Sequence, residues 1–326
     1  MINDRVSNWI FSLLYAYVFI YLIPWVEFYG EELEDIYAYT ARLVYLHRGG
    51  FEGNPTGINW VLSEPIWKQI MLFISQYSSD YYRGALYFIS AVTVFLYISF
   101  LLKRVPWYMG MIFLVNPMMV DLFLAQMRSA LAFGIVLIAY DYFLRENHSK
   151  ILLSILLVIA LMIHASMPLF YLFFFLLYYY NSRVEDYKYY FIALVFGIFI
   201  ALFMKYGLTV ILTLIGDRHA GYDEYIGGSS LAYSISWMII AFIIGTFGDF
   251  TDKRQRILVA YAIMIMSYFF FSSVLGVFAV RYVALIMPLI IVSISYLPKH
   301  IKEGTYFFLF LYNMYAFTYW LQLSIF

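Results

Sequence analysis

Three arginines are the side chains of this sequence best suited to binding an anion. Arg128 and Arg281 stand at the very ends of apolar runs, where a charge is costly to bury, and Arg218 lies in a polar loop. A guanidinium group stays protonated and offers a planar fork of N–H donors that binds two phosphate oxygens at once. Snorkelling to the membrane surface explains any one of them. The three together favour an anion site, most naturally for a lipid pyrophosphate.

Three further side chains are candidates for a general base. His164 ends an apolar run, and an imidazole can take a proton from a hydroxyl near neutral pH. Asp35 lies one helical turn before Tyr39, and Glu64 directly precedes Pro65. Two of them have a structural interpretation as well: His164 would bond a neighbouring helix, and Glu64 would cap the helix that Pro65 begins. The residues alone do not rank the three.

The elements that must position these side chains are apolar helices. Apolar residues make up 64% of the chain and charged residues 12%, too few charges to cover a soluble domain of this length. Apolar runs predict helices at Trp9–Trp25, Gly84–Leu102, Pro106–Leu124, Met127–Leu144, Ile151–His164, Met167–Tyr180, Tyr189–Lys205, Ala232–Gly248, Ile257–Phe278, Tyr282–Leu297 and Tyr306–Leu323. The sequence therefore predicts an all-α polytopic integral membrane protein with about eleven (10 to 12) crossings.

Basic residues indicate how these helices are oriented. Lys and Arg fall in alternate loops if the N-terminus is cytoplasmic, which leaves the C-terminus on the outer, periplasmic side. Of the eight basic residues then placed outside, six are arginines. We expect a single membrane domain over residues 1–326, with a cavity that opens to the outer face.

Two outer loops interrupt the apolar pattern. The first, residues 27–82, contains two amphipathic segments, Leu33–Leu46 and Pro65–Ile74, which we expect to lie as helices at the membrane surface. Their predicted apolar faces consist of Ile36, Tyr39, Leu43 and Leu46 in the first, and Ile66, Ile70 and Ile74 in the second. The second outer loop covers residues 216–231.

Cytoplasmic loops are too short for a nucleotide-binding fold, and no P-loop motif occurs.

The composition also excludes several kinds of chemistry. No cysteine is present, so disulfides and thiolate metal sites are excluded. Net charge is zero, which gives no reason to expect nucleic acid as a partner. We expect neither a metal nor another cofactor, because arginines can neutralise a pyrophosphate themselves. Chemistry must then happen at the outer face, on substrates that come to the membrane.

Five short motifs follow one another along the chain. They are Asp35-x-x-x-Tyr39, Ser63-Glu64-Pro65, Arg128-x-x-Leu131-Ala132-x-Gly134, His164-x-Ser166, and Arg281-Tyr282 followed by Pro288. In this order and with this outer placement they resemble the EpsG-like group of Wzy-type polysaccharide (O-antigen) polymerases. The resemblance covers roughly Asp35 to Pro288, and Leu208–Leu231 departs from it.

The resemblance implies a glycosyltransferase of the bacterial inner membrane. Such an enzyme polymerises lipid-linked oligosaccharide repeat units at the outer face, moving the growing glycan from polyprenyl pyrophosphate, here undecaprenyl pyrophosphate, to the terminal sugar of a new unit. The pyrophosphate would bind Arg128, Arg218 and Arg281. The base would be Asp35, Glu64 or His164. Sugars would contact Tyr39, Trp60 and Trp67. Expected partners are the lipid-linked oligosaccharide, membrane lipid and a chain-length regulator protein.

Three other functions compete with polymerisation. An O-antigen ligase would use the same donor chemistry and is the hardest alternative to separate. A lipid-linked sugar transporter or flippase predicts charges near the bilayer midplane and internal repeats, and neither is evident in the sequence. A membrane acyltransferase would need a histidine that is reached from inside, whereas the predicted topology places His164 outside.

Overall fold

The chain folds as helices throughout the part that the structure describes. The computed structural model describes residues 2–25, 28, 34–50, 53, 56–114, 116–143, 149–181, 183–184, 186–207, 210, 231–248, 252–277 and 279–325. Nearly all of these residues are helical, and none of them lies in a strand. The all-α prediction is confirmed. Two compact units divide the chain: residues 1–170 with 310–326, and residues 171–309.

The first unit is built around one long central helix. Its helices are α1 (Ile2–Tyr17, continued by a π-helical turn over Val18–Leu22), α2 (Glu34–His47), α3 (Ile58–Leu62), α4 (Pro65–Ser75), α5 (Tyr82–Leu102), α6 (Trp107–Leu114), α7 (Pro117–Leu124), α8 (Met127–Phe143) and α9 (Lys150–Ile163). The central helix α5 packs against α1 on one side and α8 on another, and α8 packs against α9. Helices α2, α3 and α4 lie together, and α3 and α4 also contact α9.

The second unit is likewise centred on a single helix. The boundary between the units falls within α10 (Met167–Asn181), and the second boundary falls within the last helix, α15 (Lys299–Ile325). Between them lie α11 (Asp186–Leu202, continued by a π-helical turn over Phe203–Gly207), α12 (Leu231–Phe247), α13 (Lys253–Val274) and α14 (Val280–Ser295). Helix α13 packs against α11, α12 and α14, and its side chains from Ile257 to Phe269 are buried.

Helix length and composition are those of a polytopic membrane protein. Among the described residues, three helical segments are long and apolar enough to cross a bilayer: Ser79–Leu102, Lys188–Gly207 and Gln255–Val274. Shorter apolar helices occur at Val6–Leu22, Lys150–Ile163, Met167–Asn181, Leu231–Phe247 and Val280–Ser295. Many large apolar side chains on these helices are exposed, as a surface that faces lipid requires.

A break in one predicted helix has a direct structural cause. The continuous helix expected over Pro106–Leu124 is wrong, because α6 ends at Leu114 and α7 begins at Pro117. Asn116 has an extended backbone, and its Oδ1 accepts a hydrogen bond from the Met118 N–H at 2.9 Å, which caps α7. Pro117 has no N–H to continue the preceding helix.

A second change of direction follows immediately. Helix α7 ends at Leu124, α8 begins at Met127, and the two helices differ in direction by 100°. They form either one broken span or a re-entrant hairpin. The break places the first turn of α8, and therefore Arg128, beside the connection between α3 and α4.

The two amphipathic segments of the first outer loop are helical, as predicted. In α2 the buried side chains are Ile36, Leu43 and Leu46, which confirms three of the four predicted positions, and Tyr39 is half-buried. In α4 the prediction is confirmed for Ile74 and is wrong for Ile66 and Ile70. The buried stripe consists of Trp67, Met71 and Ile74, whereas Ile66 and Ile70 are only half-buried, because α4 packs against both α2 and α9.

Candidate functional site

Glu64 joins the start of α8 to the end of α9. Its Oε2 accepts a hydrogen bond from Nη1 of Arg128 at 2.5 Å. Its Oε1 lies 2.8 Å from Nδ1 of His164 and accepts a hydrogen bond from the Ala165 N–H at 3.1 Å. Two of the candidate bases and one of the candidate pyrophosphate ligands therefore form one network. We call Arg128, Glu64 and His164 the charged triad.

The backbone of Glu64 explains how its side chain reaches both partners. Glu64 has φ +58° and ψ +61°, and in the described part of the chain it is the one non-glycine residue with positive φ. It occupies the N-cap position of α4, where its carbonyl accepts from the Lys68 N–H at 3.0 Å. The side chain makes no capping hydrogen bond, so the capping interpretation of Glu64 is wrong. The carboxylate is instead available to α8 and α9.

Burial strengthens the electrostatic interactions among the three side chains of the triad. The side chain of Glu64 is 11% exposed, that of His164 19% and that of Arg128 31%. Burial alone would raise the pKa of the Glu64 carboxyl, but the hydrogen bond with His164, the charge of Arg128 and the Ala165 N–H outweigh it and hold the pKa below its ordinary value. Glu64 is therefore ionised at neutral pH.

The ionised carboxylate determines the role of each nitrogen of His164. A carboxylate can only accept hydrogen bonds, so Nδ1 of His164 carries the hydrogen and donates it to Oε1 of Glu64. In the neutral ring the lone pair is then on Nε2. A histidine with a carboxylate on Nδ1 and a lone pair on Nε2 is arranged as a general base.

Arg128 has donors left for a ligand. One of its five N–H groups bonds Glu64, while the Nε atom is buried and has no hydrogen-bond partner. A buried charged donor without an acceptor is costly, and an anion's oxygen would satisfy it. Arg128 is also the second residue of α8, where the amide groups of the first turn carry the positive end of the helix dipole. Together these features fit a phosphate group.

The aromatic candidates differ in exposure. Tyr39 on α2 meets Trp67 on α4 edge to face, with ring centroids 5.4 Å apart. Trp67 is fully buried (0% exposed), whereas Trp60 is 44% exposed. Asp35, one turn before Tyr39, interacts electrostatically with both Tyr39 and Arg128, which places it at the edge of the triad.

The other two candidate arginines belong to later parts of the chain. Arg218 lies outside the described residues, as does its neighbour His219. Arg281 belongs to the second unit, where it is the second residue of α14 and its side chain is exposed. Its neighbour Tyr282 meets Tyr268 edge to face, with centroids 5.2 Å apart.

The sequence did not point to several polar groups near the two breaks at the ends of α7. Asn116 donates from Nδ2 to Oδ1 of Asn313 at 2.6 Å in a buried position, and Gln126 donates from Nε2 to Oδ2 of Asp121 at 2.5 Å. The Asn116-Pro117 pair, a cap followed by a proline, was a signal for the break between α6 and α7. Nothing in the sequence indicates that the backbone N–H of Ala165 bonds Glu64.

The charged triad contains only two side chains of the kinds that hold a metal ion, Glu64 and His164. No group of three His, Asp or Glu side chains that could hold a metal ion occurs among the residues the structure describes. The charged triad instead combines one guanidinium, one carboxylate and one imidazole, each on a different element.

Comparison with known proteins places the whole chain in one family. No curated protein and no solved structure gives a significant match. The sequence model of the EpsG family matches residues 12–326, which is nearly the full length. EpsG-like proteins resemble Wzy-type polymerases, as the five motifs indicate. The chain belongs to the EpsG family.

Proposed function

We propose that this protein is a glycosyltransferase that polymerises oligosaccharide repeat units carried on polyprenyl pyrophosphate. The single observation that supports this most strongly is the charged triad, which puts an anion-binding arginine and a histidine base on the same carboxylate. Family membership supports a glycan polymerase-like membrane protein. The triad adds a means of binding the leaving group and of activating the acceptor.

The leaving group is the pyrophosphate of the donor lipid. As the bond from the anomeric carbon to the pyrophosphate oxygen breaks, the electron pair stays on that oxygen, and charge develops there. Arg128 is suited to this charge through its unpaired Nε and the first turn of α8. We assign Arg218 and Arg281 as further pyrophosphate ligands on their residue type and predicted outer placement.

The nucleophile is a hydroxyl of the terminal sugar on the acceptor unit. Its oxygen forms the new bond to the anomeric carbon, and its proton passes to a base. Of the three candidates, His164 fits best because its Nε2 has a lone pair, whereas both oxygens of Glu64 are already hydrogen-bonded. Asp35 remains the alternative base. Tyr39 and Trp60 are proposed to contact the sugars, and Trp67 to support Tyr39.

The finer topology belongs to the same proposal. We place the protein in the bacterial inner membrane with about eleven crossings, a cytoplasmic N-terminus and a periplasmic C-terminus. The loops over residues 27–82 and 216–231 then face the periplasm. A single membrane domain with an outward-opening cavity stays a prediction, as does a chain-length regulator as partner. Undecaprenyl pyrophosphate is the carrier we expect.

Arg128→Lys tests the proposed leaving-group site. Lysine keeps the charge but loses the fork of donors, so it can satisfy neither the bond to Glu64 nor a phosphate with the same geometry. We expect polymer formation from purified lipid-linked repeat units to fall by about 100-fold or more. Polymer length on a gel and release of lipid pyrophosphate are the measurements, and size-exclusion chromatography checks that the variant is folded.

Arg183→Lys is the matched control, because Arg183 is an exposed arginine of the second unit that bonds the Tyr179 hydroxyl. It should polymerise at the wild-type rate. Wild-type polymer length in Arg128→Lys would refute the role of Arg128.

In a deletion strain, single repeat units on the surface indicate a lost polymerase, whereas full chains trapped on the carrier indicate a lost ligase.

A further inference from the structure

We propose that Glu64 is a positioning residue, which holds His164 in the tautomer with hydrogen on Nδ1 so that Nε2 receives the proton of the acceptor hydroxyl. This inference rests on the proposed function and adds to it: it takes Glu64 out of the set of candidate bases and gives it a role that acts through His164.

The contacts of Glu64 argue against a direct role in proton transfer or nucleophilic attack. Oε2 is bonded to Arg128, and Oε1 is bonded to both His164 and the Ala165 N–H. A carboxylate held by three donors, one of them a guanidinium, is stabilised as an anion and is a weak base. Its oxygens would have to release these donors before either could reach a sugar carbon.

The same contacts fix the imidazole with respect to the backbone. Oε1 binds the ring of His164 and, at the same time, the main chain of the next residue. His164 ends α9 with an extended backbone (φ −146°, ψ 118°), and its own N–H bonds the Ala160 carbonyl at 3.0 Å. Ring and backbone are therefore held from two directions, which leaves the imidazole little freedom to turn.

Glu64 would also stabilise the charge that forms during the reaction. The acceptor oxygen attacks the anomeric carbon, its proton moves to Nε2, and the electron pair of the broken bond leaves with the pyrophosphate. His164 then carries a positive charge next to the Glu64 carboxylate, 2.8 Å from Nδ1. Water removes this proton after the product has left.

A double-mutant cycle separates this role from a structural one. Glu64→Gln and His164→Gln should each lower the turnover of lipid-linked repeat units by about 100-fold or more. If Glu64 acts through His164, the double variant should be no slower than His164→Gln, within about threefold. Losses that multiply in the double variant would overturn the proposal. Glu303→Gln, at an exposed carboxylate of the second unit paired with Lys299, is the matched control and should keep full activity.

The tautomer itself can be measured without any substrate. In the purified full-length protein with ¹⁵N-labelled histidine, the NMR signals of His164 should be those of a ring protonated on Nδ1, and His164→Gln assigns them by their disappearance. Glu64→Leu removes the acceptor, so the Nδ1–H form should give way to a mixture with the Nε2–H form. Unchanged tautomer populations in Glu64→Leu would overturn the proposal.

His47→Gln controls for a general effect of altering a histidine contact, because His47 bonds the Ser75 carbonyl. It should leave the His164 signals unchanged.

The two experiments also fail in different ways. If the wild-type protein extends no lipid-linked unit, the proposed function is wrong, while the tautomer measurement still reports on the pairing of Glu64 with His164. The kinetic cycle uses near-isosteric amides and does not depend on the folding of the leucine variant.

Discussion

At the scale of single residues, Glu64 shows how a buried charge is tolerated in this protein. Three donors from two separate elements surround its carboxylate, and they outweigh the cost of removing it from water. Removal of any one donor would leave the other two in place but would reduce the stabilisation that offsets the cost of burying the carboxylate. The network therefore links the stability of the protein to the ionisation of Glu64.

This linkage predicts how stability depends on pH. The pKa of Glu64 in the folded protein lies below its ordinary value of 4.5, so its contribution to stability is complete above that pH. It is lost as the pH falls toward the folded-state pKa, because the unfolded chain takes up the proton first. Thermal unfolding in detergent as the pH is lowered from about 5 to about 3 should show a steeper loss of stability for the wild type than for Glu64→Gln. Equal slopes for the two proteins would contradict the prediction.

The residues of the charged triad were predictable from the sequence one by one, but their contacts were not. Arg128, Glu64 and His164 stand out by type and by position at the ends of apolar or amphipathic runs. Residues 64 and 164 are a hundred positions apart, and nothing in local patterning tells that they meet. The contact depends on the packing of α3 and α4 against α9, and on a left-handed backbone at a position where the sequence suggests a cap.

At the scale of elements, the apolar runs predicted most helices to within a few residues. The length of an apolar run is a strong signal because a membrane helix must form all of its backbone hydrogen bonds internally. The signal fails where a helix is broken within one run, as at Asn116-Pro117, since hydropathy does not change there. It also fails for the face of α4, because a residue such as Trp67 is buried or exposed according to its neighbours in space.

One close helix contact in the second unit gives a prediction at this scale. A Cβ atom on Gly197 of α11 would lie 2.5 Å from the Met264 carbonyl oxygen and 2.6 Å from Cβ of Ser267, both on α13. Gly197→Ala should force the two helices apart and disturb the hydrogen bond from Ser267 Oγ to the Leu194 carbonyl. We expect a loss of about 1–3 kcal/mol in unfolding free energy, measured by thermal unfolding in detergent.

Gly245 provides the matched control for this variant. It lies on α12 and also faces α13, but a Cβ there would meet Cδ1 of Ile263 at 3.5 Å, an ordinary contact. Gly245→Ala should therefore cost little or nothing, within about 0.5 kcal/mol. Equal losses in the two variants would mean that helix spacing is not what Gly197 controls.

At the scale of the whole molecule, charges lie at both ends of α8. Arg128 is the second residue of the helix, and Asp141 near its end is paired with Lys103 at 2.5 Å and with Arg104. These two charged positions are separated by thirteen residues, which is about 20 Å along a helix. In the topology that we propose from the positive-inside rule, the end with Lys103 and Arg104 is cytoplasmic and the charged triad is at the outer end.

The proposed topology can be checked by labelling introduced cysteines. The chain contains no cysteine, so each introduced one is the only target. Asp80→Cys should react with a membrane-impermeant maleimide in intact cells, because residue 80 is exposed in the first outer loop. Lys150→Cys and Lys299→Cys, also exposed, should react only after the membrane is opened. Reaction of all three from the same side would contradict the topology.

The backbone at residue 64 has a consequence for attempts to make this protein more heat-tolerant. A left-handed conformation costs a residue with a Cβ about 1–2 kcal/mol, a cost that glycine does not bear. Glycine or asparagine at this position would relieve that strain but would also remove the carboxylate that holds Arg128 and His164. A substitution at residue 64 therefore gains a relaxed backbone at the loss of these contacts.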